Sequence, residues 1–192
     1  MIIGITGNSG TGKSTIAKLL ANKINADIID ADKIAKEMTE TETEYLKEII
    51  KLFGEEILVD NKLNRKKLAE SIYNNNYKKE QLNDLTYNYV VKEIKNKIKN
   101  INNKNIIIDA PLLFESKLDV NCNVTIAILA EKNIKIERIC KRDNVERKIA
   151  EARLKIQQDD EYYIEKSDYI LPNNGKINEI NLEEICTKIG KN

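Results

Sequence analysis

Three glycines, a lysine and a serine near the start of the chain have the spacing of a phosphate-binding loop. The stretch GNSGTGKS places Gly7 four residues before the run Gly12, Lys13 and Ser14. In a loop of this pattern, backbone N–H groups and a helix N-terminus surround phosphates, the lysine contacts the β- and γ-phosphates, and the serine hydroxyl binds Mg²⁺. The pattern therefore predicts a site for a nucleoside triphosphate, either ATP or GTP.

Carboxylates follow two further apolar runs at the positions where strands would end. Asp30 and Asp32 close the run IIDAD, and Asp109 closes the run IIID. Ligands of open α/β sheets bind at the carboxyl ends of the strands. A carboxylate there, Asp32 above all, could orient an acceptor hydroxyl and take its proton, and Asp109 could hold Mg²⁺. The alternatives are helix capping for Asp32 and an ordinary strand-end turn for Asp109.

Arginine is rare in this chain and unevenly placed. Of the 32 basic residues five are arginines, and four of these fall within residues 138–153. Arg138 and Arg142 are four residues apart and share one face of a predicted helix. A planar guanidinium binds phosphate oxygens in a bidentate way, which favours a clamp on the transferring group. A solvated helix with pairs of opposite charge is the alternative.

The elements that must position these groups follow from the apolar pattern. Short apolar runs of strand length are separated by mostly helical patterns, which favours a parallel sheet. We predict an α/β three-layer fold with a five-stranded parallel sheet and helices on both faces. The predicted strands are residues 1–6, 27–30, 106–109, 124–129 and 169–171.

Two helical regions interrupt the predicted sheet within a single domain of residues 1–192. Residues 40–101 form a helical lobe, with helices at 42–53, 65–73 and 77–101, and residues 133–166 form a second helical region. The core comprises residues 1–39, 102–132 and 167–192. We expect the lobe to bind an acceptor and the second region to act as a lid, because phosphoryl transfer must exclude water.

The composition narrows the range of partners. Basic and acidic residues number 32 and 31, so the overall charge favours neither nucleic acid nor a membrane surface. We expect no membrane span and no signal peptide. The three widely spaced cysteines are typical of a reducing cytosol. There is no histidine, so any proton transfer must use a carboxylate, lysine, tyrosine or cysteine.

The order of motifs along nearly the whole chain resembles the dephospho-CoA kinase family. The phosphate loop alone is shared by many unrelated proteins, whereas I-D-A-D, P-L-L-F-E and R-D with a downstream R-x-x-x-Q are far more specific in combination. The matching segments are GITGNSGTGKST, IIDADKIAKEM, FGEEIL, LNRKKLAESIY, DAPLLFES, KRD, ARLKIQQ and NNG.

The resemblance implies transfer of the γ-phosphoryl group of ATP to the 3′-hydroxyl of dephospho-CoA, with Mg²⁺, in the cytoplasm. It implies that Asp32 is the base and that the lid lies around residues 142–157, and the motifs themselves predict catalytic roles for Lys13, Arg138 and Arg142. The implied ATP contacts are Gly10, Thr11, Gly12, Lys13, Ser14, Thr15, Arg142, Asn174 and Gly175. We expect acceptor contacts from Asp32, Arg65, Leu112 and Tyr87, and the motifs predict Ser14 and Asp109 as metal ligands. We expect small-molecule partners only and a monomer or weak homo-oligomer.

The chain departs from the family pattern at two places. The family commonly has His-Pro in the long helix of the lobe, where this chain has Tyr87 and Asn88. The family often has an acidic residue before NNG, where this chain has Pro172. The first change concerns an acceptor contact, and the second concerns the shape of the loop near the adenine.

Two other functions are compatible with a phosphate loop. One is a kinase of another small hydroxyl acceptor, such as a nucleoside or nucleotide. The other is a GTPase-like switch, which would need N-K-x-D after an apolar strand and D-x-x-G after the third strand. Residues 116–119 read SKLD and follow PLLFE, and residues 109–112 read DAPL without the glycine, so the switch is disfavoured.

Overall fold

The computed structural model describes residues 1–39, 43–73, 75–175 and 182–189. Its strands are β1 (Ile2–Thr6), β2 (Asp27–Asp30), β3 (Leu58–Val59), β4 (Lys62–Leu63), β5 (Ile106–Asp109), β6 (Val124–Leu129) and β7 (Tyr169–Pro172). Its α-helices are α1 (Lys13–Ile24), α2 (Ala31–Glu37), α3 (Glu44–Phe53), α4 (Arg65–Ile72), α5 (Asn76–Asn100), α6 (Lys132–Asp143), α7 (Arg147–Lys155), α8 (Asp160–Lys166) and α9 (Leu182–Ile189).

Among the described residues, five strands form a parallel sheet in the order β2-β5-β1-β6-β7. Asp109 on β5 pairs with Ile5 on β1 and with Asp30 on β2, so these three strands end at the same level. The predicted five-stranded parallel α/β fold is confirmed. The sheet brings Asp30 and Asp109 to the edge from which the glycine-rich turn leaves β1.

Isoleucine fills the core of the sheet. Side chains from β1, β5 and β6 pack with α1 and α9, and most of them are fully buried. Branched apolar residues on both sides of a strand are typical of parallel strands buried on both faces. The loop after β1 therefore starts from a rigid support. The most buried isoleucine and leucine side chains of this core are Ile3, Ile5, Ile16, Leu20, Ile107, Ile126 and Ile128.

The chain divides into two compact units. The first comprises Met1–Asp30 and Ile101–Asn192, and the second comprises Ala31–Asn100. The second unit contains α2 to α5 and the β3–β4 hairpin, and it has a core of its own. Its three long helices lie close to the predicted ranges, although Glu42 and Asn74 lie outside the described residues. That core comprises Tyr45, Ile49, Phe53, Ile57 and Leu68.

Residues 133–166 contain most of three helices, α6, α7 and α8. Asn144 ends α6 in a left-handed conformation with φ of 51°, which asparagine tolerates better than most residues. Throughout the part of the chain that the structure describes, no helix is both long enough and apolar enough to cross a bilayer.

Candidate functional site

The turn between β1 and α1, here called the phosphate loop (residues 7–14), depends on glycine geometry. Gly10 and Gly12 have φ angles of 81° and 90°, which residues other than glycine rarely adopt. A Cβ atom on Gly10 would lie 2.4 Å from the backbone oxygen of Lys135. Gly12 directly precedes α1, so the first N–H groups of that helix are presented at the end of the loop.

The side chain of Lys13 is hydrogen-bonded to the backbone of the phosphate loop. Its Nζ atom donates to the backbone oxygen of Asn8 at 3.1 Å, and the Thr11 hydroxyl donates to the same oxygen at 2.9 Å. A cleft of about 340 Å³ opens beside it. The cleft brings together most of the predicted nucleotide contacts, and Asn173 in addition. Its lining is Gly10, Gly12, Lys13, Ser14, Thr15, Arg138, Arg142 and Asn173.

Asp109 has an unsatisfied oxygen close to this cleft. The residue is 4% exposed, and its Oδ1 atom has no hydrogen-bond partner among the described residues. Burial raises the pKa of Asp109, against a hydrogen bond from the Ser14 side chain and the charge of Lys13. Mg²⁺ prefers oxygen ligands and is usually bound by one or two carboxylates together with the phosphates of the substrate. The Asp109 carboxylate and the Ser14 hydroxyl are therefore suitable ligands for Mg²⁺. The described residues contain no cluster of three or more His, Cys, Asp or Glu side chains suited to a metal.

Arg142 is oriented by its neighbour Asp143. Its Nε and Nη2 atoms donate to the two carboxylate oxygens of Asp143 at 2.7 and 2.9 Å, and Nη2 also lies 3.3 Å from the Ser9 hydroxyl. Arg153 donates to the same carboxylate. These two arginines, Arg142 first, lower the pKa of Asp143 to about 2. The carboxylate therefore stays charged at neutral pH and presents Arg142 beside the phosphate loop.

The segment after β7, residues 173–175, packs on the phosphate loop. Asn173 is 2% exposed, and its Nδ2 atom donates to the Thr11 oxygen at 2.7 Å. The Asn174 side chain accepts from the Glu131 N–H at 2.8 Å and donates to the Glu131 carboxylate at 3.2 Å. The Gly175 oxygen lies 3.4 Å from Arg138 Nη2. Asn174 and Gly175, the predicted ATP contacts of this segment, are absent from the lining of the cleft, whereas Asn173, which was not predicted, is part of it.

A second set of contacts supports the loop from residues 157–163. Asn8 is 4% exposed; its Oδ1 atom accepts from the Tyr163 hydroxyl at 2.9 Å, and its Nδ2 atom donates to the Gln158 oxygen at 2.8 Å. The Ser9 N–H donates to the Gln157 side chain at 3.0 Å. Sequence analysis did not predict these contacts. They attach the start of α8 and the turn before it to the first residues of the phosphate loop.

Replacing Tyr163 by Phe is expected to lower the free energy of unfolding by about 1–3 kcal/mol, because the buried Asn8 Oδ1 atom loses its donor. Urea unfolding measures this change. Tyr73→Phe is the matched control, since Tyr73 is 84% exposed and should tolerate loss of its hydroxyl. Equal stability of the two variants would show that the bond to Asn8 contributes nothing.

The predicted acceptor residues lie in both units. In the second unit, Asp32 is exposed in the first turn of α2, and Arg65 donates to the Thr39 hydroxyl at 2.9 Å. Tyr87 is half-buried in the long helix α5. In the first unit, Leu112 follows β5 and is 48% exposed. Asp32 is the second residue of its helix, so it lies inside the first turn and not at the capping position before it.

The sheet, the phosphate loop and the arginines of the cleft define a P-loop kinase. Comparison with protein families identifies which kinase: the model described as dephospho-CoA kinase matches residues 1–179. A dephospho-CoA kinase from Fusobacterium nucleatum is 38% identical over 98% of this chain and 95% of its own. The chain belongs to the dephospho-CoA kinase family. It is therefore a kinase of the family that performs the last step of coenzyme A biosynthesis.

Two solved structures share this fold, and one of them is a dephospho-CoA kinase. A structure from Thermus thermophilus has a TM-score of 0.83 at 25% identity and covers 98% of this chain and 97% of its own. A dephospho-CoA kinase from Campylobacter jejuni has a TM-score of 0.67 at 29% identity, covering 99% and 95%. The fold similarity thus extends over nearly the full length of each chain.

Proposed function

We propose that this kinase transfers the γ-phosphoryl group of ATP to the 3′-hydroxyl of the ribose of dephospho-CoA, giving CoA and ADP. One observation carries the donor half of the proposal. Lys13, Ser14 and two arginines converge on a single cleft at the N-terminus of α1. Membership of the family supports the acceptor half.

The phosphate loop supplies the donor site. Its N–H groups and the Lys13 ammonium bind the β- and γ-phosphates, and Lys13 leaves the Asn8 oxygen for a phosphate oxygen. Asp143 holds the planar fork of Arg142 beside the loop, and in the proposed mechanism this fork leaves the carboxylate for the transferring group, where negative charge develops. The neighbouring residues Gly10, Gly12 and Thr15 also line the cleft.

Ser14 and Asp109 are the residues that would hold Mg²⁺. Mg²⁺ would be a partner for the Oδ1 atom of Asp109, which burial has removed from water. When bound, Mg²⁺ supplies positive charge that neutralises the phosphate oxygens during transfer.

Asp32 takes the proton of the acceptor hydroxyl in the proposed mechanism. It lies two residues beyond the end of β2, and ligands of open α/β sheets bind at the carboxyl ends of the strands. Arg65, Tyr87 and Leu112 are the proposed acceptor contacts. Residues 133–166 are the proposed lid, whose closure excludes water from the transferring group. We place the enzyme in the cytoplasm as a monomer or weak homo-oligomer.

An ADP-release assay tests the function. The protein is incubated with ATP and Mg²⁺ and with dephospho-CoA, a panel of nucleosides and nucleotides, or buffer alone, and CoA formation is measured in parallel. The proposal requires turnover confined to dephospho-CoA. Turnover with another acceptor would retain the kinase and reject the substrate, and ADP release without any acceptor would reject transfer to a hydroxyl.

Replacing Arg142 by Lys is expected to lower kcat about tenfold, because lysine keeps the charge but loses the bidentate fork. Steady-state kinetics with both substrates measures the effect. Lys148→Arg is the control, since this exposed lysine of α7 lies outside the lining of the cleft. An unchanged kcat for Arg142→Lys would show that Arg142 does not bind the transferring group through two N–H donors.

A further inference from the structure

The guanidinium of Arg138 is surrounded by oxygens of two separate segments. Its nearest contact is the Asn173 backbone oxygen, 3.0 Å from Nη1. The other contacts lie at 3.3–3.4 Å, and all five are carbonyl or amide oxygens. They are the backbone oxygens of Gly10 and Thr11, the Asn173 backbone oxygen and Oδ1 atom, and the Gly175 backbone oxygen.

These contacts use both terminal nitrogens of the side chain. Nη1 faces the phosphate loop and the Asn173 backbone, and Nη2 faces the Asn173 side chain and Gly175. A guanidinium has five N–H donors in a fixed plane, so it can bridge two segments in a way that an ammonium cannot. Arg142 differs, because its fork is paired with the Asp143 carboxylate while Nη2 also lies 3.3 Å from the Ser9 hydroxyl.

Asn173 makes the same connection independently. Its Nδ2 atom donates to Thr11 at 2.7 Å, and its N–H donates to Leu129 on β6 at 2.8 Å. Its amide also fills the space next to Gly12, where an added Cβ would lie 2.5 Å from Nδ2. Asn173 therefore ties the phosphate loop to the sheet through a strand other than the one from which the loop starts.

We infer that Arg138 and Asn173 are positioning residues, which join the phosphate loop to residues 173–175 so that the two segments bind ATP as one rigid body. Sequence analysis predicted Arg138 as a clamp on the transferring phosphoryl group. Its contacts favour a different role, because the donors that a clamp would use are directed to backbone oxygens. ATP binding then requires less ordering of the loop, since the loop is already held in its binding conformation.

This role predicts a particular pattern of kinetic constants. Arg138→Lys should raise both the dissociation constant and the KM of ATP about tenfold, because the lysine cannot hold both segments. It should leave kcat within about threefold of the parent and leave the KM of dephospho-CoA unchanged, since the transition state gains nothing specific from Arg138. Arg147→Lys is the matched control, because Arg147 contacts Glu151 and Asn133 outside the cleft.

Binding of ATP and of inorganic tripolyphosphate is measured by calorimetry alongside the kinetics, and folding is checked by thermal unfolding. Asn173→Ser should weaken both ligands in the same way, and the double variant should lose less than the two single losses combined, since both residues serve one connection. If Arg138→Lys fails to fold, Asn173→Ser decides the question alone. Purely additive losses would overturn the inference.

A hundredfold loss of kcat in Arg138→Lys with unchanged ATP affinity would also overturn the inference and restore the clamp. The inference rests on the proposed function in taking ATP as the donor, but the two can fail separately. Absence of CoA formation by the parent protein would reject the function. The dependence of tripolyphosphate and ATP binding on Arg138 and Asn173 would still support the positioning role.

Discussion

Replacing Asp32 by Asn should lower kcat about a hundredfold or more while the affinity for ATP is retained, because the amide cannot accept the proton of the acceptor hydroxyl. Asp32 is exposed in the first turn of α2, outside the buried core, so the substitution should leave the fold intact. Steady-state kinetics and ATP binding by calorimetry measure the two quantities.

Two further variants decide whether the base is Asp32 or a neighbour. Asp30→Asn tests the other carboxylate of the D-A-D motif, which ends β2 opposite Asp109. Asp84→Asn, an exposed position in α5, is the control for loss of one negative charge. A kcat for Asp32→Asn equal to that of the parent would remove Asp32 from the mechanism, and a larger loss in Asp30→Asn would transfer the role to Asp30.

The sheet could be predicted because its signal is local. The strands around Ile3, Ile107 and Ile126 are short apolar runs rich in isoleucine, the pattern expected of parallel strands that are buried on both faces. The phosphate loop was predictable for a related reason. The residues that identify it, from Gly7 to Ser14, form one continuous stretch that runs into the start of α1 at Lys13.

The β3–β4 hairpin was missed although a signal was present. Its strands have two residues each, too short for an alternating pattern. The turn residues Asp60 and Asn61 have φ angles of 51° and 59°, and a two-residue type I′ hairpin turn requires positive φ at both of its central residues. Helix α9 was also missed, although Leu182, Ile185 and Ile189 have helical spacing.

The supports of the phosphate loop could not be predicted from local pattern. Asn173 donates to a residue 162 positions away, and Asn8 donates to one 150 positions away. A polar side chain in a loop gives no local sign of which distant backbone group it will satisfy, because that choice follows from the packing of β7 and α8. Arg138 shows the same limit: its spacing from Arg142 predicted a shared face, but its partners are set by the tertiary structure.

Asp109 is expected to lower stability and to be needed for turnover. Burial outweighs the hydrogen bond from Ser14 and the charge of Lys13, so the pKa of Asp109 is raised. A raised pKa in the folded state means that the protonated group favours folding at low pH. That contribution is lost as the pH rises through the raised value, and the charged form is then a cost at neutral pH.

Asp109→Asn should therefore raise the free energy of unfolding by about 1 kcal/mol at neutral pH, and the gain should shrink as the pH falls and the parent becomes protonated. The same change should lower kcat between about tenfold and a hundredfold at limiting Mg²⁺, because a neutral amide is a poorer ligand than a carboxylate. Urea unfolding at several pH values and a Mg²⁺ titration of turnover measure the two effects.

Asp168→Asn is the matched control for the predicted gain in stability and loss of turnover in Asp109→Asn. Asp168 accepts hydrogen bonds from the Thr125 N–H at 2.8 Å and from the Thr125 hydroxyl at 2.7 Å, so its carboxylate has two donors in the folded state. Its amide variant should lose stability without changing the response to Mg²⁺, because charge-assisted hydrogen bonds are lost far from any phosphate contact. If Asp109→Asn behaved in this way too, Asp109 would be a structural carboxylate, and the orphaned oxygen would have no part in holding the metal.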